Sequence, residues 1–301
     1  MDIYYTFLIL GPTAVGKSDL AAAVAERTDG EIVSADAFQV YAGLDILTAK
    51  PSPELRARVP HHLIGEIPLT EPWDVAQWLD AAHSRIAEIH ARGRVAIVVG
   101  GTGLYLRALT RGLADLPPAS PALRAELAAQ PLGELQRRLT ELDPDGAHRI
   151  DLQNPRRVIR ALEVCLLTQR PFSSFREQWE TTPHGWRGII LTRDRDELYA
   201  RIDRRTEEMF AAGVLEEVRC AGKVGPTASQ TLGLREIRAH LGSETTRGEC
   251  VAAIQQATRR YAKRQLTWFR RETEFRNVNL SSIADATALA DEIAREVREN
   301  Q

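Results

Sequence analysis

Residues 4–18 read YYTFLILGPTAVGKS, and this stretch decides the fold. The apolar run over 4–10 shows no alternation of polar and apolar side chains, which predicts a strand buried on both faces, as in a parallel sheet. It leads into Gly11-Pro12-Thr13-Ala14-Val15-Gly16-Lys17-Ser18, a full match to G-x-x-x-x-G-K-[S/T], and a helix is predicted over 18–27. Strand, glycine-rich turn and helix is the context in which this motif cradles phosphate. The glycines let backbone amides turn inward, and the helix N-terminus adds its dipole. Lys17 can neutralise a phosphoryl charge, and Ser18 can reach a magnesium ion.

Working outward, the first 114 residues alternate strands and helices. Strands are predicted over 31–35 and 94–99, a helix over 74–91 and another over 103–111. This is an α/β pattern, a P-loop parallel sheet flanked by helices. Leu116-Pro117-Pro118 and Ser120-Pro121 then break the pattern, and helices without a good strand follow over 121–129, 132–142 and 154–168. A strand returns at 187–192, followed by a helix over 194–212 stopped by Gly213, a long helix over 248–271 and a last one in the alanine-rich stretch 284–294. The simplest organisation is a catalytic core formed by 1–115 and 187–301, with a small α-helical domain inserted over 116–186.

Composition excludes several classes. The chain has 301 residues, 44% of them apolar and 27% charged, which is ordinary for a globular protein and rules out collagen, coiled-coil and disordered readings. With 39 basic and 41 acidic side chains the net charge is -2, so the average gives no sign of nucleic acid. The distribution does. Residues 255–276 hold seven basic side chains (Arg259, Arg260, Lys263, Arg264, Arg270, Arg271, Arg276) against Glu272 and Glu274, a net +5 on a chain that is otherwise -7. Cys165, Cys220 and Cys250 are scattered without a C-x-x-C pair, which argues against a zinc or redox motif and for a reducing compartment. The N-terminal apolar run lacks a basic n-region and is too short to span a bilayer. The expectation is a cytoplasmic protein with no membrane association, and nothing requires more than a monomer.

The strand at 94–99 ends in Gly100-Gly101-Thr102-Gly103 with no carboxylate, and no Asn-Lys-x-Asp motif is present. Both absences argue against a motor ATPase or a GTPase switch. Instead Asp36 falls just past the strand at 31–35, where ligands bind in open α/β sheets. An acceptor facing a phosphorylated donor needs a group to take its proton, and Asp36 is placed for that. A turn or N-cap role for Asp36 is the plainer alternative. Thr102 is predicted to point into the same crevice, where it could donate to a leaving oxygen, and it could equally cap the helix that follows.

At about 100° per residue, Arg259, Arg270, Lys263, Arg260, Arg271 and Arg264 share one arc of the long helix, opposite Tyr261, Phe269, Ala262 and Leu266. A solvated face would carry Glu at i,i+4 positions, and this one does not, so the stripe reads as a phosphate-tracking surface. Trp268 reads as core. His61 and His62 have no third ligand at metal spacing and read as structural or channel-lining.

The ordered blocks GPTAVGKS, SADAFQVYAGLDILTAKPS, HHLIGE, VVGGTGLYLRAL, DLQNPRRVIRALEV, TLGLREI and ATRRYAKRQLTWFRR resemble the tRNA dimethylallyltransferases over residues 5–275, in their bacterial form. The resemblance implies that the P-loop, Gly11 to Ser18, holds the diphosphate of dimethylallyl diphosphate rather than a nucleotide. It implies an acceptor that is the exocyclic amine of the adenine 3′ of the anticodon, and a magnesium ion on Ser18. Lys17, Asp36, Thr102 and Arg235 are the implied catalytic set, with Arg235 on the diphosphate and Thr102 near the bridging oxygen. The implied tRNA contacts are Asp36, Ala37, Phe38, Gln39 and Thr102 at the crevice, Arg124, Arg156, Arg157, Val158, Ile159 and Arg160 on the insertion, and Arg260, Lys263 and Arg264 on the basic helix. Together these would grip the anticodon stem-loop, with the target base extruded. Three positions depart from the family pattern: Ala37 replaces a common Ser, Leu47 a common Gly and Gly65 a frequent Asp. The competing readings are an adenylate isopentenyltransferase acting on free nucleotide, a small-metabolite P-loop kinase and a non-catalytic RNA-binding protein with a relic P-loop.

Overall fold

The computed structural model describes residues 6–179 and 185–299. They fall into two compact units, one drawn from residues 6–109 and 185–299 and the other from residues 110–179.

The first unit is built on a six-stranded, all-parallel sheet. In chain order its strands are β1 (Thr6–Leu10), β2 (Glu31–Ala35), β3 (His61–His62), β4 (Ala96–Gly100), β5 (Arg187–Thr192) and β6 (Arg276–Asn279), arranged β3-β2-β4-β1-β5-β6. The first two residues of the predicted apolar run, Tyr4 and Tyr5, lie outside the described residues. Every described residue of β1 is buried, as its unbroken apolar sequence demands. Phe7 and Ile9 enter one core and Leu8 and Leu10 the other, because successive strand side chains face opposite sides. On the Phe7 side α1 (Lys17–Thr28) and α13 (Ala286–Arg298) pack through Leu20, Val24, Leu289 and Ile293, with Leu55 of the short α2 (Pro53–Arg58) against the same core. On the Leu8 side α3 (Val75–Ala91) contributes Trp78, Ala82, Ile86 and Ile89, and α4 (Gly103–Arg111) contributes Tyr105 and Leu106. Trp78 stacks on Tyr105 with centroids 4.5 Å apart, and its indole N–H donates to the Ser34 carbonyl at 2.9 Å.

Two strands are not legible in the sequence. β3 is two histidines long, and β6 reads Arg-Asn-Val-Asn with only Val278 buried. Both lie at sheet edges, where one-sided burial removes the apolar signal. The histidines are explained by this position: His62 Nε2 lies 2.7 Å from a Glu31 carboxylate oxygen and His61 Nδ1 lies 2.7 Å from the Val59 carbonyl. Burial alone would raise the Glu31 pKa, but hydrogen bonds from Arg92, His62 and Arg94 outweigh it and hold the carboxyl at about 2.

Beyond β5, α9 (Arg195–Ala211), α10 (Val214–Cys220), α11 (Leu234–Leu241) and α12 (Arg247–Phe269) share a further core of Leu47, Phe210, Val214, Leu234 and Ile254. α12 starts with a full capping box, Thr246 and Glu249 satisfying each other's backbone amides. The six cations predicted on one arc of this helix do not form a continuous helical stripe. Arg270 and Arg271 lie past its last turn, and Arg259 pairs with Asp203. Arg276 of the basic window is paired with Glu292 and Glu296.

The second unit is helical. It comprises α5 (Pro121–Ala128), α6 (Leu132–Leu142), α7 (Pro144–Arg149) and α8 (Pro155–Thr168) around Leu127, Leu135, Leu139, Val158 and Leu162. The short α7 falls between the predicted helices; Pro144 takes its first helical position behind an Asp143 cap.

Candidate active site

The sheet order brings the site together. β1 lies between β4 and β5, and β4 lies between β2 and β1. Leu10 and Ala35 are both in register with Gly100, so the loops after β1, β2 and β4 leave the sheet at one level. These loops carry the P-loop, Asp36 and Thr102. Connections from neighbouring strands diverge here, which is where open α/β sheets bind ligands.

Gly16 takes φ 109°, a conformation glycine adopts without strain, and it opens directly into α1. Lys17 Nζ donates to the Pro12 carbonyl at 2.7 Å. Burial lowers the Lys17 pKa to about 8, with Asp36 opposing and Arg205 reinforcing the shift. The loop is braced from α9 and the end of β5. Arg193 Nε donates to Val15 O and Arg201 Nε to Ala14 O, both at 2.8 Å, and Arg205 reaches the Thr13 hydroxyl at 3.3 Å. Burial lowers the Arg205 pKa, Asp36 opposes this, and Arg201 adds to it.

Asp36 makes the turn that its sequence position suggested. Its Oδ1 accepts the Phe38 and Gln39 amides at 2.9 and 3.2 Å. Among the described residues no hydrogen bond is formed by Oδ2, and the residue lines two cavities. The turn role and a chemical role are therefore compatible. Gln39 is held by the Thr48 and Ala49 carbonyls at 3.2 and 3.1 Å, which fixes the wall opposite the P-loop. Thr102 accepts the Ala37 amide at 3.3 Å, so its hydroxyl spans from the β4 turn to the β2 turn. Its carbonyl also receives the Tyr105 and Leu106 amides, starting α4.

Two cavities open from these groups. The larger, about 530 Å³, is lined by Lys17, Ser18, Asp36, Lys50, Arg201 and Arg205 among others. The smaller, about 270 Å³, is lined by Asp36, Phe38 and Tyr261 with the apolar Leu47, Ile202, Met209 and Ile254. Thr13, Ala14, Asp36, Thr48 and Arg205 line both. A charged compartment thus adjoins an apolar one, with Asp36 common to both.

Arg235 is not brought to these groups in this structure. It stands on α11 with its side chain 89% exposed and paired with Glu236, and it lines neither cavity. The guanidiniums beside the P-loop are those of Arg193, Arg201 and Arg205; Arg205 lies six residues before the end of α9, hidden in the sequence within a run of charged helix positions. Tyr261, which helical periodicity places on the apolar face, lines the smaller cavity. Burial and the Asp36 charge push its pKa up to about 12, so it stays protonated.

Of the expected RNA contacts, Arg260, Lys263 and Arg264 are exposed on α12 and have no carboxylate partner among the described residues. On the helical unit Arg156 and Arg157 are exposed at the start of α8, where Asn154 caps both backbone amides. Val158 is fully buried in the helical core, so its side chain cannot touch RNA, and Ile159 is half-buried. Arg124 and Arg160 are joined to the fully buried Glu163, which also accepts the Ser120 amide at 2.7 Å. Burial alone would raise the Glu163 pKa, but these partners lower it, so it stays ionised and neutralises one of the two guanidiniums.

A magnesium ion suits the donor set. No group of three His, Cys, Asp or Glu side chains that could enclose a metal exists among the described residues. Ser18, which makes no described hydrogen bond, lines the charged cavity beside Lys17. One hydroxyl with room for water and phosphate oxygens is how magnesium is commonly held. No helix among the described residues is long and apolar enough to cross a membrane.

Comparison with known proteins adds the following. Residues 39–272 match the family model described as IPP transferase, and residues 3–64 match one described as isopentenyl transferase. The chain is 44% identical to a tRNA dimethylallyltransferase of Akkermansia muciniphila over 97% of its own length and 99% of the relative's. It is 46% identical to that of Caulobacter sp. over 88% and 89%. Among solved structures it is similar to the tRNA isopentenylpyrophosphate transferase of Bacillus halodurans, with 35% identity, TM-score 0.71 and 98% and 97% of the two chains covered. It is also similar to a eukaryotic dimethylallyltransferase acting on tRNA, with 25% identity, TM-score 0.82 and 98% and 80% covered.

Proposed function

Because the chain belongs to the IPP transferase family, the tRNA dimethylallyltransferases, we propose that its crevice transfers a dimethylallyl group from dimethylallyl diphosphate to the exocyclic amine of the adenine 3′ of the anticodon in tRNA, releasing diphosphate. The observation that carries this reading is the pairing of compartments: a cationic P-loop cavity opens beside an apolar one, and Asp36 lines both.

The chemistry follows from that pairing. The carbon–oxygen bond of the allylic diphosphate breaks, a bond from the adenine nitrogen to the allylic carbon forms, and one proton leaves the nitrogen. An aromatic amine is a poor nucleophile, so stabilising the departing negative charge contributes most. Lys17, the P-loop amides and Arg205 serve that charge, and Thr102 donates to the bridging oxygen. Bound at Ser18, a magnesium ion would supply further charge neutralisation on the diphosphate. The free Oδ2 of Asp36 takes the hydrogen bond, and then the proton, from the amine. The apolar wall of Leu47, Ile202 and Met209 suits the five-carbon group. A base stacked in an RNA loop cannot reach Asp36, so the adenine must be turned out of its stack. Arg260, Lys263 and Arg264 on α12, and Arg156 and Arg157 on the helical unit, meet phosphates of the anticodon stem-loop. One chain suffices for all of these roles, and the protein works in the cytoplasm.

One second reading is transfer to a free adenine nucleotide, since residues 3–64 also match a model described only as isopentenyl transferase, a description that names no acceptor. Isotopically labelled dimethylallyl diphosphate, offered with unmodified tRNA or with AMP, separates the two. Label in tRNA is expected; label in AMP alone would overturn the proposal.

A further inference from the structure

Gln265 stands on α12 directly after Arg264, yet it is only 7% exposed. Its Oε1 accepts the Thr13 amide at 2.9 Å and its Nε2 donates to the Gly101 carbonyl at 2.9 Å. Both backbone groups lie outside strands and helices, so this one side chain satisfies a polar group on each of two irregular loops. The place is shaped for it. A Cβ at Gly101 would come within 2.3 Å of Nε2, so only glycine allows the amide this close. What the amide fixes is a separation. Thr13 belongs to the P-loop, and Gly101 immediately precedes Thr102. Gln265 therefore holds the phosphate cradle and the Thr102 hydroxyl at a set distance across the ends of β1 and β4.

The same helix faces outward with different chemistry. Arg260, Lys263 and Arg264 are exposed one to five residues before Gln265, Arg264 also reaching the smaller cavity over the Tyr261 ring. Tyr261, one turn earlier on the inward side, lines the smaller cavity. A rigid α-helix with cations on its outer surface and site contacts on its inner surface cannot be reseated on one side without moving the other.

We propose that Gln265 is a positioning residue that couples RNA docking on α12 to the diphosphate pocket. Phosphates bound by Arg260, Lys263 and Arg264 seat the helix, and Gln265 passes that seating to the P-loop and the Gly101-Thr102 turn. tRNA then raises the affinity of the pocket for diphosphate, and by linkage diphosphate raises the affinity for tRNA by the same factor. The inference rests on the proposed function, in which α12 meets tRNA and the P-loop holds diphosphate.

The test is calorimetric titration of inorganic pyrophosphate into the full-length protein in magnesium buffer, with and without saturating unmodified tRNA. In the wild type tRNA is expected to tighten pyrophosphate binding by about fivefold or more. Gln265→Met keeps the length of the side chain but neither accepts nor donates, and should bring that factor to within twofold of one while tRNA affinity measured alone changes less than twofold. Gln265→Glu keeps an acceptor for Thr13 and loses the donor to Gly101, and should also reduce the factor. If both variants weaken pyrophosphate equally with and without tRNA, Gln265 only shapes the pocket and the coupling is refuted. A wild-type factor of one, with both ligands bound, refutes it without any variant. Failure of the wild type to bind either ligand would instead remove the functional reading beneath it.

Discussion

Lys17, Arg201 and Arg205 belong to the same compact unit as Arg260, Lys263 and Arg264 and carry the same formal charges, but they sit in different media. The first three line the P-loop cavity, where burial lowers all three pKa values. The second three are exposed on α12, although Arg264 also lines the smaller cavity. Coulomb interactions in a desolvated crevice are several-fold stronger than at a wet surface, and salt screens them less. The inner set suits one compact, highly charged anion held at fixed distance. The outer set suits a polyanion whose phosphates are met one by one in competition with counterions.

The comparison can be broken most sharply at Lys17. Lys17→Ala is expected to lower kcat/KM for dimethylallyl diphosphate by about 10²–10³, the usual cost of one preorganised charge-stabilising donor, with tRNA affinity nearly unchanged. The same group predicts a pH dependence. Its free-enzyme pKa of about 8 lies below the ordinary lysine value, so raising the pH removes the ammonium early. The kcat/KM for dimethylallyl diphosphate should therefore fall above about pH 8, and Lys17→Arg should move that falling limb to higher pH. Next in size is Asp36→Ala, expected to cost about 10²-fold in turnover, the lower end for loss of a general base, with little change in tRNA affinity. A collapse of tRNA affinity in its place would make Asp36 a binding residue first.

The outer set should respond more gently. Arg260→Ala with Arg264→Ala is expected to raise the KM for tRNA by about tenfold at physiological salt, in line with loss of two phosphate contacts, and to leave kcat within about twofold. Smallest of all is Arg235→Ala. Its side chain is exposed and paired with Glu236, so no kinetic constant should move by as much as twofold. A large loss there would mean that α11 reaches the site in a form this structure does not show.

These contrasts explain which parts of the molecule could be read from the sequence. The P-loop, Asp36 and Thr102 were legible because strand-end loops announce themselves through an apolar run followed by glycines, and parallel register then brings them to one level. Residues 31–35 and 187–192 were placed as strands with the bounds they have in the fold. Edge strands β3 and β6 were not, since one-sided burial leaves no apolar run. Arg205, Tyr261 and Gln265 were not legible as site residues for a related reason. They sit mid-helix, where the sequence gives only a face, and whether that face meets core, cavity or solvent depends on packing from distant elements. Periodicity gives Tyr261 its side of the helix and says nothing of the cavity that side meets. The basic stripe was overcounted because Asp203, which neutralises Arg259, lies 56 residues away and cannot be seen by an i,i+4 search.

The most direct test of the division between inner and outer cations is a parallel salt titration of the two Michaelis constants in the wild-type enzyme. Plotted as log KM against log salt, the constant for tRNA should rise steeply, with a slope contribution of about 0.7–0.9 per phosphate contacted, while the constant for dimethylallyl diphosphate rises much less. Equal slopes for the two substrates would contradict the account, because they would mean that the P-loop cations are as exposed to counterions as those on α12.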